Sequence, residues 1–271
     1  RQGIGRALVQ LARQWVEDSE IGPEAISQLQ TALGMDRTGV YDDQTIEAVY
    51  ERQVADNEGK NDNKKGKEDG VADKRFFQRL GLLFTKKIKN ATTTPDFLKE
   101  LLDENGQPKP EFANGLTVGC YTHYDDQDEN NRTFWKVANP WAKHNKAIGI
   151  NEAGELQMGV PLKITETSQI VEKVQSISRA LKEVFWNHWV ENADPDFDGM
   201  VTVPAWTHVK NLAIFAHGMP YGIGTDANGN YRDGLMAGQP DSRKYEGYAP
   251  NVESFVDGID SALTSDVNVQ L

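Results

Sequence analysis

Apolar strands alternate with amphipathic helices along the second half of the chain, and this pattern constrains the fold more than any other feature. The segment LTVGCYTHY from Leu116 alternates like a strand, and NLAIFAHG from Asn211 is typical of a buried strand that ends in a glycine turn. Between them, apolar residues mark one face of a helix: Ile170, Val174, Ile177, Leu181 and Phe185. Apolar strands joined by helices favour a parallel sheet covered by helices.

The last part of the sequence continues this alternation. Asn251 is a good N-cap for a helix over residues 252–263, and VNVQL after it is typical of another strand. Because this strand runs to Leu271, we expect the α/β domain to be truncated at that end. The sequence therefore predicts an α/β domain with a mainly parallel sheet over residues 115–271.

The first part of the chain has helical rather than strand periodicity. Helices are predicted over 3–18, after Pro23, and from Asp42 or Asp43, whose carboxylates can cap free amides. Residues 56–69 are polar and nearly free of apolar groups, which predicts an exposed loop. Apolar residues then return and can close a small helical core: Phe76, Phe77, Leu80 and Leu83.

Residues 85–114 are charged and turn-rich, with one short helical candidate at 95–102, and they predict a linker. A chain of 271 residues is long enough for a small and a medium domain. We therefore expect an α+β protein with a helical domain at 1–84, the linker at 85–114 and the α/β domain at 115–271.

The charge balance argues against several classes of partner. There are 41 acidic and 29 basic residues, a net charge of −12, whereas nucleic acids and anionic lipids attract clustered Lys and Arg. No apolar run approaches the roughly 20 residues that a membrane-spanning helix needs. We expect neither a nucleic acid partner nor a membrane span.

A recurring set of residues accompanies the predicted helices of the first domain. In chain order these residues are Leu29-Gln30, Gly39, Tyr41-Asp42, Thr45, Ala48-Val49, Gln53 and Asp69-Gly70. Their order and spacing resemble the small helical peptidoglycan-binding module of bacterial and phage cell-wall proteins over residues 21–83, apart from the polar insertion at 56–69. Glycine permits a left-handed turn and aspartate caps a helix, so the same pattern also serves the fold.

The resemblance implies a three-helix domain that binds peptidoglycan or another cell-wall glycan or peptide. Ligand contacts would come from Tyr41, Asp42, Tyr50 and Gln53. It also implies a location at the bacterial envelope, outside the cell or on a phage particle. Because a fold does not establish binding, docking to a particle or secretion-system protein stays an alternative.

A histidine-glycine pair follows the strand predicted from Asn211. His217 and Gly218 stand at its carboxyl end, where α/β sheets place functional groups. The pair resembles the His-Gly element of caspase-like cysteine peptidases, in which the histidine is the general base for a cysteine at the end of the next parallel strand. That strand would be VNVQL, so the resemblance implies a cysteine just past Leu271. A histidine that only makes local hydrogen bonds is the alternative.

The chain contains one cysteine, Cys120, inside a predicted strand and close in sequence to His123. Buried cysteines in strands are usually inert, so we expect Cys120 to pack rather than to react. A single cysteine also excludes an internal disulfide framework and a zinc site built on several thiolates.

The segment DPDFDGMVT reproduces the first half of a calcium loop with Asp194, Asp196 and Asp198. The bidentate acid that completes such a loop is missing, because Ala205 stands at its position. Calcium is therefore one interpretation and an ordinary acidic turn is the other. No cofactor is otherwise required.

These observations leave two main hypotheses for function. The first is a wall-targeted, caspase-like cysteine hydrolase with His217 as its base. The second is a non-enzymatic binding or structural component of a phage or secretion-type particle. A lesser third is a wall hydrolase that cleaves glycans with paired carboxylates, for which the sequence indicates no particular pair.

Overall fold

The computed structural model describes residues 4–61, 65–123, 133–192, 200–219, 222–224, 235–236 and 249–270. The protein is mixed helix and strand with a mainly parallel main sheet, in agreement with the α+β class. It forms two compact units. One holds the described residues of 1–87 and 237–255, and the other holds those of 88–236 and 256–271.

The first unit is helical. Its helices are α1 (Arg6–Ser19), α2 (Pro23–Ala32), α3 (Asp43–Asn57) and α4 (Lys74–Arg79). The prediction that Asp42 starts a helix is confirmed, because its carboxylate accepts a hydrogen bond from the Thr45 amide at 2.9 Å. Asp73 caps α4 in the same way through the Phe76 amide at 2.9 Å.

Apolar side chains from the four helices and the loops between them meet in one core. Its buried members are Ala12, Ile21, Ala25, Ile26, Leu29, Tyr41, Ile46, Val49, Ala72, Phe76 and Phe77. Phe76 and Phe77 are almost fully buried, as their position after the polar loop predicts. Trp15 packs edge to face on Tyr41, with 5.8 Å between ring centroids.

A segment far away in sequence completes this unit. Ser254 accepts a hydrogen bond from the Leu83 amide at 3.0 Å and donates one to Gln28 Oε1 at 2.7 Å. Gly81 has a φ of 71°, and a Cβ at this position would overlap the carbonyl oxygen of Pro250. The helical unit therefore includes residues 249–255 in addition to its N-terminal stretch.

The second unit contains the sheet and the helices that cover it. In chain order its elements are α5 (Pro95–Leu101), β1 (Leu116–Thr122), α6 (Thr133–His144), β2 (Ile148–Ile150), β3 (Leu156–Met158), β4 (Leu162–Ile164), α7 (Thr167–Asn192), β5 (Val209–Phe215), β6 (His217–Met219), β7 (Gly222–Gly224), β8 (Leu235–Met236), α8 (Val252–Ile259) and β9 (Leu263–Gln270). Helix α8 crosses the division between the units, which falls after Phe255.

The main sheet has the strand order β4-β1-β5-β9, and all neighbouring pairs are parallel. The Trp141 ring of α6 lies against Gly119 on one face of β1. Because successive residues of a strand point to opposite faces, Cys120 points to the other face. Both faces of β1 are buried from Val118 to Thr122, as its apolar sequence predicts.

One detail differs from the sequence predictions. The helix predicted over 252–263 ends at Ile259, because a 3-10 turn over Asp260–Ala262 follows and Leu263 already begins β9. The short helix predicted at 95–102 is present as α5, and its Phe97 and Leu101 are buried. The predicted domain boundaries themselves stay predictions.

Across the residues that the structure describes, no helix is long and apolar enough to cross a membrane.

Candidate functional site

The carboxyl ends of β1, β5 and β9 lie at the same end of the main sheet, which we name the carboxyl edge. Strand β5 is central to this edge, since it pairs with β1 on one side and β9 on the other. Tyr121 is level with Phe215, and Gln270 is level with Ala213. In open α/β sheets, the crevice outside the carboxyl ends of the strands is the usual place for a site.

His217 stands at this edge, two residues beyond the end of β5. Its backbone starts β6, which pairs antiparallel with β7, and His217 is level with Gly224. Gly218 is level with Ile223 in the same pair. The sequence therefore located His217 correctly relative to β5. The glycine turn expected after it is instead the start of a small antiparallel sheet, β6-β7-β8.

The expected neighbour of β5 is also present. The chain passes from β5 through β6, β7, β8 and α8 into β9, which lies parallel to β5 and directly beside it. The end of β9 and the residue pair His217-Gly218 thus share the carboxyl edge of the sheet.

Cys120 is unsuited to act as the nucleophile of this edge. It is fully buried inside β1, level with Ile214 of β5. Burial raises the pKa of its thiol to about 12, and the charge of Lys173 offsets this only in part. Because the thiolate is the reactive form, Cys120 stays a protonated packing residue near neutral pH.

The predicted calcium ligands, Asp194, Asp196 and Asp198, lie outside the described residues. Elsewhere in the described parts of the chain, no group of three or more His, Cys, Asp or Glu side chains is arranged to hold a metal ion. Calcium binding by the three aspartates stays a prediction.

The second candidate site is in the helical unit, where two buried glutamines each hold a loop. Gln30 is 1% exposed, and its Oε1 accepts from the amides of Thr38 and Gly39 at 2.9 and 3.0 Å. Its Nε2 donates to the Val40 carbonyl at 2.9 Å. The amide group of Gln30 thus closes the loop between α2 and α3 from inside.

Gln53 repeats this arrangement one helix later. It is 4% exposed, and its Oε1 accepts from the amides of Asp69 and Gly70 at 3.0 and 2.9 Å. Its Nε2 donates to the Val71 carbonyl at 2.9 Å. Gly39 and Gly70 have positive φ angles of 68° and 72°, so both loops use the same backbone turn. We name Gln30 and Gln53, with the loops they hold, the glutamine clamps.

The other predicted ligand residues of the helical unit are mainly engaged inside it. The Tyr41 hydroxyl donates to the Gly70 carbonyl at 2.8 Å and accepts from the Ala72 amide at 3.0 Å. Burial raises the pKa of this phenol. Asp42 caps α3, and Tyr50 is half-buried on that helix. Ligand contact by Tyr41, Asp42, Tyr50 and Gln53 stays a prediction. The hydrogen bonds that Tyr41, Asp42 and Gln53 make here stabilise the fold.

Sequence reasoning did not anticipate that the clamps are duplicated or that the His123 amide donates to the Ile164 carbonyl of β4. A signal for the first was available, because Gly-Val occurs at residues 39–40 and 70–71, each followed by an aspartate two residues later. The position of His123 depends on the pairing of β1 with β4, which the sequence does not give.

A cavity of the second unit lies away from the carboxyl edge. It has a volume of about 250 Å³ and is lined mainly by apolar side chains, including Leu102, Phe185 and Trp206. Trp206 precedes β5, so this cavity lies toward the amino ends of the strands. The candidate active site is therefore indicated by topology and residue chemistry and not by cavity size.

Comparison of the chain with protein-family models, with curated proteins and with solved structures gave no match.

Proposed function

We propose that the protein is a cell-wall-associated cysteine hydrolase of bacterial or phage origin. In this proposal a helical domain similar to peptidoglycan-binding modules accompanies a caspase-like α/β domain. The observation that carries the proposal is the strand order. His217 follows β5 at the carboxyl edge, and β9, the next strand of the main sheet along the chain, lies parallel beside β5.

The proposed chemistry uses a thiol at the end of β9 with His217 as the general base. The imidazole takes the thiol proton, and the thiolate attacks the carbonyl carbon of an amide bond. The C–N bond breaks, the proton passes from His217 to the leaving amine, and a thioester forms. Water then hydrolyses the thioester, releasing the acid and regenerating the thiol.

The alternative, a binding or structural component of a phage or secretion-type particle, is favoured by a different observation. Gln53 and Tyr41 use their polar atoms in hydrogen bonds within the helical unit. The polar insertion is also held by hydrogen bonds, because the Asn57 side chain accepts from the amide of Gly66 and donates to its carbonyl. Because these polar atoms already bond within the unit, they are poorly placed to bind a wall ligand, which favours use of the module in protein docking.

The test uses the complete native protein, including any residues beyond Leu271, and the thiol reagent iodoacetamide at neutral pH. The proposal expects one rapidly alkylated cysteine near the end of β9, with the rate reduced at least tenfold in His217→Ala. Cys120 should stay unmodified because it is buried. Absence of a reactive thiol, or equal rates in wild type and His217→Ala, refutes the hydrolase.

Wall binding is tested separately by sedimentation of the same protein with purified peptidoglycan sacculi. Co-sedimentation that soluble wall fragments compete away supports the wall-associated role. A hydrolase that stays in the supernatant retains the proposed chemistry but loses its proposed location.

A further inference from the structure

We propose that a polar pocket on one face of the main sheet binds a neutral amino-sugar ring. The pocket is bordered by β1, β5, β9 and α6, and it has a volume of about 180 Å³. The choice of an amino sugar rests on the wall-associated role proposed above, whereas the pocket itself is independent of the hydrolase chemistry.

The register of three strands accounts for the floor of the pocket. Thr117 of β1 is level with Asn211 of β5, and two residues further along Gly119 is level with Ala213. Because alternate residues of a strand share a face, these four residues lie on one face of the sheet. Ala213 is in turn level with Gln270 of the outer strand β9. Small residues in the middle of this face thus leave room beside hydroxyl and amide groups.

Trp141 of α6 forms the apolar wall of the pocket. Its ring fills the space over Gly119, where a Cβ would lie 2.8 Å from the ring atom Cζ3. The ring also stands edge to face against Phe215, with 5.5 Å between the centroids. Trp141 is only half-buried, so part of it stays accessible. An indole held in this way offers apolar surface to the C–H groups of a sugar and an N–H to a hydroxyl.

The polar lining consists of amide and hydroxyl groups with unused bonding capacity. Asn211 Nδ2 donates to Thr117 Oγ1 at 3.2 Å, and Asn145 Nδ2 donates to the Trp141 carbonyl at 2.8 Å. Within the described part of the chain, neither the carboxamide oxygens of these asparagines nor the amide group of Gln270 makes a hydrogen bond to the protein. These groups are therefore available to a ligand.

A polar residue on this face is unusual for a strand in the middle of a parallel sheet. Strand β5 has a neighbour on each side, and parallel sheets ordinarily bury both faces in apolar packing. Ile214 follows this rule on the opposite face, where it is buried. Asn211 departs from it, since it is half-buried at the pocket. An amide at this position adds little to a core and is suited to a polar ligand.

The chemistry and size of the pocket select the class of ligand. No charged side chain is among the described residues that line it, so an ionic ligand would find no counter-charge there. Carboxamides donate and accept hydrogen bonds, as do the hydroxyl and acetamido groups of N-acetylated amino sugars. The volume is that of about six water molecules, which is similar to the volume of one sugar ring.

The experiment titrates the complete native protein, labelled with 5-fluorotryptophan, with the neutral disaccharide N,N′-diacetylchitobiose. Fluorine NMR follows the signal of Trp141, assigned with Trp141→Phe, and we expect a shift that saturates. Asn211→Leu removes the amide at similar size and should raise the Kd about fivefold, the effect of one lost hydrogen bond. Gln270→Ala, at an exposed position that does not threaten folding, should raise it at least threefold. The matched control is Gln157→Ala on β3, an exposed glutamine away from the pocket, with no expected change.

The results that overturn the proposal are defined by the same signals. They are a Trp141 signal that does not move, or a Kd within twofold of wild type in both Asn211→Leu and Gln270→Ala. A shift confined to Trp15 overturns it as well, because Trp15 belongs to the helical unit.

The wall-associated role fails in a different way. If Trp141 responds to the disaccharide but the protein does not co-sediment with sacculi, the proposed location is refuted and the sugar pocket is retained. If the protein co-sediments and the Trp141 signal stays in place, only the pocket inference is refuted.

Discussion

Replacing Gln53 by leucine tests whether the glutamine clamps hold the helical unit together. Leucine has nearly the same length as glutamine but can neither donate nor accept a hydrogen bond. The substitution removes the hydrogen-bond partner of three backbone groups, namely the amides of Asp69 and Gly70 and the carbonyl of Val71. Gly70 is buried, so its amide has no access to water in the folded state.

The expected loss of stability follows from these three groups. A buried polar group without a partner costs about 1–3 kcal/mol. Gly70 should contribute near the upper end of this range, and the half-buried Asp69 and Val71 less, because water can reach them. Part of the loss is offset by the apolar surface of leucine, so we expect a net destabilisation of about 3 kcal/mol. A small domain has a stability of roughly 5–15 kcal/mol, so this is a large fraction.

Urea unfolding, followed by fluorine NMR of the protein labelled with 5-fluorotryptophan, measures the loss of stability of the helical unit. Trp15 is the only tryptophan in residues 1–87 and 237–255, and it packs on Tyr41 and Phe84 of the same unit. With a urea dependence of about 1 kcal/mol per molar, the midpoint of the Trp15 signal should fall by roughly 3 M.

The matched control is Gln14→Leu, which replaces an exposed glutamine on α1. Its free energy of unfolding should stay within about 0.5 kcal/mol of wild type. If Gln53→Leu and Gln14→Leu shift the Trp15 midpoint equally, the clamp does not stabilise the unit and the reasoning is wrong.

Two other predictions concern single side chains. Cys120 should resist iodoacetamide in the folded protein and react once urea unfolds it, since burial raises the pKa of its thiol to about 12 from an ordinary value near 9. The thiol is then neutral in the folded state and ionised in the unfolded state between about pH 9 and 12, so its contribution to stability is present below pH 9 and is lost as the pH rises through this window. Cys120→Ser, which does not ionise there, should lessen the fall in stability measured by urea unfolding, and an unchanged slope would contradict the assignment. Ser254→Ala should lower the stability of the helical unit by about 2 kcal/mol in the Trp15 assay, because the Leu83 amide and Gln28 Oε1 lose the Ser254 hydroxyl as their partner, whereas Ser265→Ala at an exposed position of β9 should have no such effect.

Local patterns of the sequence determine much of the secondary structure. Periodicity predicts α1, α2, α3 and α7, since one face of each helix must be apolar to join a core. Asp42 predicts the start of α3, because a carboxylate at that position satisfies a free amide. Helix α6 was not predicted, and Pro140 lies inside it, where proline is normally unfavourable.

The candidate active site also combines features that the sequence predicts with features that only the fold sets. The sequence places His217 after a buried strand, and the alternation of strands and helices predicts that β9 lies parallel to β5. The residue of β1 that lies level with Phe215 is set by the register of the two strands, and a shift of the pairing changes which residues reach the edge. Register is set by packing of side chains on both faces of the sheet, so it is a property of the assembled fold.

The helical unit shows most clearly what the tertiary structure alone decided. A glutamine in a helix is usually exposed to solvent. Gln30 and Gln53 are buried only because backbone amides and carbonyls of later loops form hydrogen bonds with them. Ser254 joins the unit across 171 residues of chain, a distance at which sequence patterns carry no signal. The sequence by itself determined elements whose stabilising groups lie within a few residues. Contacts between distant residues were decided by the fold, because each requires both partners to be brought together and withdrawn from water at once.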